Sequence, residues 1–320
     1  MVRRLLIHGC MVVVDSAPQP GEVVAGKYIL LERIGEGGMG LVFLAEQRSL
    51  ARKVVVKLLQ PALVACDALV RQFHTEAVAA CRVQHPGSVA VIDCGQAAGD
   101  IPFLVMEYVP GRLLSALITD EEIEPARALQ LVRQLLRTLK AAHASGVVHG
   151  DIKSDNILVE PTAGGEAVTL IDFGLARIDG RQDHIHVGPG APDSVSGTPE
   201  YMAPELVRGE RPSPASDLYA VGVILYELLT RRSPFGGGSP DEVLMRQLEE
   251  HALPPSACRP DRALPALLDE IVLRALDKDP QARFADAGDF ARALTAALRE
   301  GARRAEPPRL VHEVPIHRAA

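Results

Sequence analysis

The sequence lacks an excess of positive charge: Lys and Arg number 34 against 41 Asp and Glu, a formal net charge of −7. That balance excludes a nucleic-acid binder working by general attraction to phosphate. It is also poor in cysteine. Cys10, Cys66, Cys81, Cys94 and Cys258 are odd in number and scattered, and no spacing among them resembles a zinc site or a disulfide framework. The reading is reduced thiols in a cytoplasmic protein. Long apolar runs are missing too. A membrane helix needs about 20 apolar residues, whereas the best stretch, Leu218 to Leu229, is shorter and contains Glu227. Arg3-Arg4-Leu5-Leu6-Ile7 has the outline of a signal peptide, but His8-Gly9 breaks it and no cleavage site follows. No internal repeat is present.

What is there is a hydrophobic fraction of 47%, enough for one large domain or two smaller ones. Residues 28 to 108 read as strands around one helix. Tyr28 to Ile34 and Leu41 to Glu46 flank a glycine cluster, and Val54-Val55-Val56 is a β-branched run. Ala65 to Arg82 is helix-like, and Val89 to Asp93 and Pro102 to Tyr108 complete a small sheet. From about residue 112 the pattern turns helical. Leu129, Val132, Leu136 and Leu139 recur at helical spacing, and Leu218 to Leu229 reads as a central buried helix. Leu267, Leu268, Ile271, Val272 and Ala275 form a further stripe, as do Phe290, Ala293, Leu294 and Leu298. The expected fold class is α+β and bilobal, with a β-rich lobe over 28–108 and a helical lobe over 112–298. Residues 1–27 read as leader and linker, with Met11 as an alternative start, and 299–320 as a tail.

Ile34-Gly35-Glu36-Gly37-Gly38-Met39-Gly40-Leu41-Val42 places a GxGxxG loop between two strands. Glycine lets a backbone approach phosphate closely and aim N–H groups at it. A strand on both sides disfavours a dinucleotide site, where a helix follows; a plain glycine hairpin stays open as the alternative. Lys57 ends the valine run on the strand face of Val55, placed to reach phosphate. Glu76 on the next helix would pair with it or stand as a solvated helix residue. The densest signal is His149-Gly150-Asp151-Ile152-Lys153-Ser154-Asp155-Asn156, with Asp172-Phe173-Gly174 beyond it. Isolated Asp and Asn in loops are turn formers. Here their spacing suits phosphoryl transfer from a metal-bound nucleotide. Asp151 would orient a hydroxyl and accept its proton, and Lys153 would meet the transferring phosphoryl charge. Asn156 and Asp172 would hold magnesium, a hard ion that prefers oxygen.

Further along stand Ser196-Gly197-Thr198-Pro199-Glu200-Tyr201-Met202-Ala203-Pro204-Glu205, Ser216-Asp217-Leu218-Tyr219 and Asp277 to Phe284. With these motifs in this order, the chain resembles the protein kinases, specifically the eukaryotic-like Ser/Thr kinases of bacteria, over about residues 28 to 298. The resemblance implies ATP as donor, Mg²⁺ as cation with Mn²⁺ as an alternative, and protein Ser and Thr hydroxyls as acceptors. It also implies autophosphorylation and a signalling role. It assigns Gly35, Glu36, Gly37, Gly38, Met39, Gly40 and Leu41 to the ATP loop. Met106 falls at the back of the adenine pocket, the backbone of Glu107 and Val109 on the adenine edge, and Ile34, Val42, Val55 and Leu158 on its faces. Ser194, Ser196 and Thr198 fall in the activation and substrate segment, with Thr198 expected against Asp151 and Lys153. Glu205 and Arg283 resemble a buried ion pair, and Asp217 a brace for the catalytic loop.

Gly150 stands where these kinases usually carry an arginine that binds an activation-loop phosphate of charge about −1.5 to −2. The expectation is activity that does not strictly require a phosphorylated loop, although Arg177 and Arg181 could meet a phosphate. His-Gly-Asp also resembles the aminoglycoside phosphotransferases, so small-molecule phosphorylation is the alternative enzyme. Lys153, the Gly197 to Glu205 segment and the Asp217 helix count against it. A pseudokinase scaffold would typically lack Lys57, Asp151 or Asp172, and all are present. His184 and His186 read as loop residues rather than metal ligands. The expected protein is soluble and kinase-only, taking its signal from a regulatory partner or from its own ends.

Overall fold

The computed structural model describes residues 4–7, 10–13, 17–173, 176–178 and 198–305. A hairpin of β1 (Arg4–Ile7) and β2 (Cys10–Val13) comes first. The first lobe's sheet follows: β3 (Val23–Val24), β4 (Tyr28–Glu36), β5 (Gly40–Gln47), β6 (Arg52–Leu59), β7 (Val91–Gln96) and β8 (Pro102–Glu107). Its order is β3-β4-β5-β6-β8-β7, antiparallel throughout. The valine run lies in β6, which is paired on both sides. Strand alternation sends Val54, Val56 and Leu58 into a core with Tyr28, Leu30, Phe43 and Val105. Val55 and Lys57 take the other face. There α1 (Asp67–Arg82) packs Phe73 and Ala77 against Leu59, Leu104 and Met106. Glu76 lies one turn from Phe73, so the same packing buries it.

The second lobe is helical: α2 (Leu114–Asp120), α3 (Pro125–Ala144), α4 (Pro204–Val207), α5 (Pro214–Thr230), α6 (Pro240–Glu249), α7 (Pro255–Cys258), α8 (Ala266–Ala275) and α9 (Ala287–Ala305). Helix α5 is its axis and is buried from Ser216 to Thr230, as an apolar run without a polar face requires. Ser213 and Ser216 form a capping box at its start, and Pro214 fits the first turn, where its missing N–H is not needed. Strands β9 (Arg112–Leu113), β10 (Val147–Val148), β11 (Ile157–Thr162), β12 (Gly165–Leu170) and β13 (Arg177–Ile178) pair as β12-β11-β9 and β10-β13. They carry the loops that bear Asp151, Asn156 and Asp172.

Secondary structure passes both expected boundaries. Leu30 N–H donates to Glu22 O at 2.9 Å and Gly21 N–H to Leu30 O at 2.7 Å, so the sheet begins ahead of Tyr28. Helix α9 continues past residue 298. The first helix starts at Asp67 rather than Ala65 because Pro61–Leu63 forms a separate 3-10 turn and Cys66 is extended. The strand expected over 89–93 runs over Val91–Gln96. Among the described residues no helix is long and apolar enough to cross a membrane.

Candidate active site

The glycine loop is a turn closed by Gly37 N–H to Gly40 O at 2.9 Å. Gln60, just beyond β6, holds it: its backbone N–H donates to Met39 O at 2.9 Å and its side chain to Gly37 O at 3.1 Å. The structure gives Gly40 a steric role. A Cβ there would stand 3.3 Å from Lys57 Cε and 3.2 Å from Leu58 O, so glycine is what lets the lysine stem pass beneath the loop. Gly37 and Gly38 face open space, and a Cβ on either would meet nothing within 4 Å. Glu36 is exposed and pairs with Arg33 at 3.0 Å.

Lys57 joins the two lobes. Its Nζ donates to Glu76 Oε1 at 2.5 Å and to Asp172 Oδ1 at 2.9 Å. Burial disfavours its ammonium, but the two carboxylates outweigh burial and hold its pKa above the ordinary lysine value. Burial pushes the Glu76 carboxyl up to about 8, against the pull of Lys57. Asp172 is held below the usual carboxylate range: burial alone would raise it, and Lys57 overcomes that. Glu76 Oε2 is buried and has no hydrogen-bond partner among the described residues.

The loop from His149 to Asn156 is built on Asp217 from α5. Its Oδ2 accepts from His149 N and its Oδ1 from Gly150 N, each at 2.9 Å, and His143 Nε2 lies 2.8 Å from Oδ2. This grip sets Gly150 at φ 76°, in the left-handed region. His149 is fully buried against Phe173, ring centroids 4.9 Å apart, and burial holds its imidazole below the ordinary histidine pKa. Lys153 Nζ donates to Asp151 Oδ2 at 2.8 Å and to Thr198 Oγ1 at 3.2 Å. Asn156 turns its amide NH₂ to Asp151 O at 3.0 Å, which leaves its carbonyl oxygen as the side-chain atom to offer a cation. With Asp172 the donor set is all oxygen, as a hard divalent ion requires.

Between the lobes, Met106 is buried in β8 opposite Val55. Glu107 N–H donates to Ala90 O at 2.9 Å, and Val109 O accepts from Gly111 N–H at 2.9 Å. What remains for a ligand at Val109 is its N–H. Gly111 is a close approach: a Cβ there would meet Val159 O at 2.9 Å and Leu158 Cβ at 3.3 Å. That contact sets the connector against β11 and so brings Leu158 to the cleft. Val42 and Leu158 are half-buried and Ile34 is exposed.

The remaining contacts anchor the segment from Thr198 to Glu205. Arg283 meets Glu205 through two bonds of 2.7 Å with both side chains buried. Tyr201 OH lies 2.8 Å from Ser154 Oγ and donates to Glu227 Oε2 at 2.8 Å. Gln247 of α6 donates to Pro199 O at 3.1 Å and Glu200 O at 2.7 Å. Sequence reasoning missed Gln60, His143, Tyr201, Glu227 and Gln247. A glutamate inside an otherwise apolar helix is a signal that pointed to Glu227; the others carry none. Ser194, Ser196, Gly174, Arg181 and the histidines at 184 and 186 lie outside the described residues.

A sheet lobe tied to a helical lobe by one lysine between two carboxylates defines a two-lobed phosphotransferase. A family model for the protein kinase domain matches residues 28–295. Serine/threonine-protein kinase pkn3 of Myxococcus xanthus is 41% identical over 299 residues, covering 92% of this chain and 54% of that protein. PknB of Mycobacterium tuberculosis is 37% identical over 289 residues, covering 89% of this chain and 44% of that protein. The crystal structure of the Mycobacterium tuberculosis PknI kinase domain matches at TM-score 0.65 and 27% identity, covering 88% of this chain and 100% of that chain. The chain belongs to the protein kinase family. It spans about half or less of the length of these curated relatives. Membership implies ATP and a divalent cation as co-reactants.

Proposed function

We propose that this chain phosphorylates serine and threonine hydroxyls of proteins, itself included, using ATP with Mg²⁺, which Mn²⁺ can replace. The observation that carries the reading is the Lys153 ammonium, which joins Asp151 to Thr198 at 2.8 and 3.2 Å. It couples the proposed base to the segment that would hold a hydroxyl-bearing peptide. Asp151 orients the hydroxyl and takes its proton. Lys153 meets the charge of the transferring phosphoryl group, and Lys57, aimed by Glu76, holds the donor phosphates. Gly35 to Leu41 cover those phosphates. Ile34, Val42, Val55 and Leu158 enclose adenine against Met106, with the backbone of Glu107 and Val109 on its edge. Asn156 and Asp172 would hold the cation, which when bound neutralises phosphate charge. Asp217, Glu205 and Arg283 support this machinery without touching substrate. The kinase domain covers 28–298, a cytoplasmic location and a regulatory protein partner belong to the same reading, and the named kinases pkn3 and PknB support its acceptor class.

The test is autophosphorylation with Mg²⁺-ATP followed by phosphosite mapping. Wild type is expected to incorporate phosphate on Ser and Thr alone. Asp151→Asn is expected to fall by about 10²- to 10⁴-fold, the usual weight of a general base. Phosphotyrosine, transfer to an aminoglycoside but to no protein, or nucleotide binding without transfer would each overturn the reading.

A further inference from the structure

Gln247 is a polar side chain with 0% exposure that the proposed chemistry leaves without a role. Its backbone lies in α6, but its amide bonds to other elements. The NH₂ group donates to the 3-10 turn Pro199–Tyr201, to Pro199 O at 3.1 Å and to Glu200 O at 2.7 Å. Oε1 accepts from the Tyr219 hydroxyl of α5 at 2.5 Å. The Tyr219 oxygen in turn accepts from Lys278 Nζ at 3.3 Å, and the same ammonium donates to Gln247 O at 2.8 Å. One residue thus joins α5, α6 and the loop before α9 to the turn that follows Thr198.

These partners settle which way the amide faces. Turned over, it would set its oxygen against two carbonyl oxygens and leave the Tyr219 proton without its acceptor. Gln247 is closed to solvent, so a partner removed leaves a buried polar group unsatisfied. The turn it holds leads back to the candidate active site. Tyr201 N–H donates to Thr198 O at 3.0 Å, which closes the turn on Thr198. Thr198 Oγ1 accepts from Lys153 Nζ, which also bonds Asp151. None of the Gln247 partners belongs to the glycine loop, to Lys57 or to the candidate cation ligands.

We infer that Gln247 is a positioning residue for the hydroxyl-bearing acceptor. Its amide fixes the carbonyls of Pro199 and Glu200, and through this turn it sets where Thr198 stands against Lys153 and Asp151. The Tyr219 hydroxyl shares the role, because it keeps the amide directed at the turn. The inference rests on the reading of this chain as a kinase of protein Ser and Thr hydroxyls. Loosening the turn should weaken binding of the acceptor and leave ATP binding as it was, since the amide touches the acceptor side alone.

The test compares the full-length wild type with Gln247→Met and Tyr219→Phe, using Mg²⁺-ATP and myelin basic protein as acceptor. Gln247→Met keeps the volume and removes the amide. Tyr219→Phe keeps the ring and removes the hydroxyl, and it carries the test if the first variant fails to fold. Gln247→Met is expected to lower kcat/KM for the acceptor by about 10- to 100-fold through a higher acceptor KM, with the ATP KM unchanged within about twofold. Tyr219→Phe should act in the same direction by a smaller factor. Hydrogen–deuterium exchange, which needs no phosphate transfer, should rise over 198–207 by about fivefold or more in Gln247→Met while α5 is unchanged, as a local opening requires. A merely structural role would lower kcat with the folded fraction and leave both KM values in place, and that result overturns the inference. Unchanged exchange over 198–207, or an ATP KM that rises with the acceptor KM, overturns it too. A wild type that transfers phosphate neither to myelin basic protein nor to itself overturns instead the reading of function on which the inference rests.

Discussion

At Gly150 the absence of a side chain acts on the backbone. The residue has φ 76° because Asp217 holds the N–H groups of His149 and Gly150 together. A residue with a Cβ in this region costs about 1–2 kcal/mol. Gly150→Ala should therefore lower unfolding free energy by about 1 kcal/mol, read as a lower urea midpoint at constant m-value. An equal or higher midpoint would show that the conformation carries no strain for a side chain. Phosphatase-treated enzyme should also keep its activity if the loop needs no phosphate; activity abolished and then recovered on rephosphorylation would refute that. Asp151, Lys153, Asn156 and Asp172 could be picked out of the sequence as candidates because their residue types fall at a spacing that suits phosphoryl transfer. Tyr201 and Gln247 could not be, because their roles arise from partners that only the fold brings close. The positive φ was likewise invisible, since it is imposed by Asp217 from another helix.

At the scale of elements, periodicity located α3, α5, α8 and α9, whose buried faces follow the apolar stripes. It misplaced the start of α1, because the Pro61 turn and the extended Cys66 are local backbone events without apolar rhythm. It also could not show how α4 is joined to the loop before α9. That joint is Glu205 with Arg283, whose guanidinium also donates to Asp277 O at 2.8 Å and Ala215 O at 3.0 Å and lies 4.8 Å over the Tyr219 ring. Removing one partner of such a pair leaves a buried charge uncompensated. Glu205→Ala should destabilise by about 3–5 kcal/mol. The double replacement Glu205→Met with Arg283→Met should cost less than Glu205→Ala alone, because it buries no orphan charge. Denaturant unfolding of the three proteins decides this; a double variant weaker than Glu205→Ala would place the loss in packing instead.

Over the whole molecule, buried titratable groups in the catalytic loop and in α5 give stability two opposing pH limbs. His149 resists protonation in the folded state, while the unfolded imidazole takes a proton near 6.5. Its contribution is present above that value and is lost as pH falls through it. Glu227 has the opposite sign. Burial lifts it from 4.5 to about 7, so its contribution is full below 4.5 and is lost as pH rises through about 7. Glu76 acts in the same direction toward about 8. Glu227→Gln isolates one limb, because an amide oxygen still accepts from Tyr201 and no longer titrates. The melting temperature of this variant should fall less between pH 5 and 7.5 than that of wild type, while its decline below pH 6.5 due to His149 persists. Parallel curves across that range would mean that Glu227 is ionised throughout. The Tyr201 hydroxyl would then be holding a buried negative charge between the catalytic loop and the axis of the second lobe.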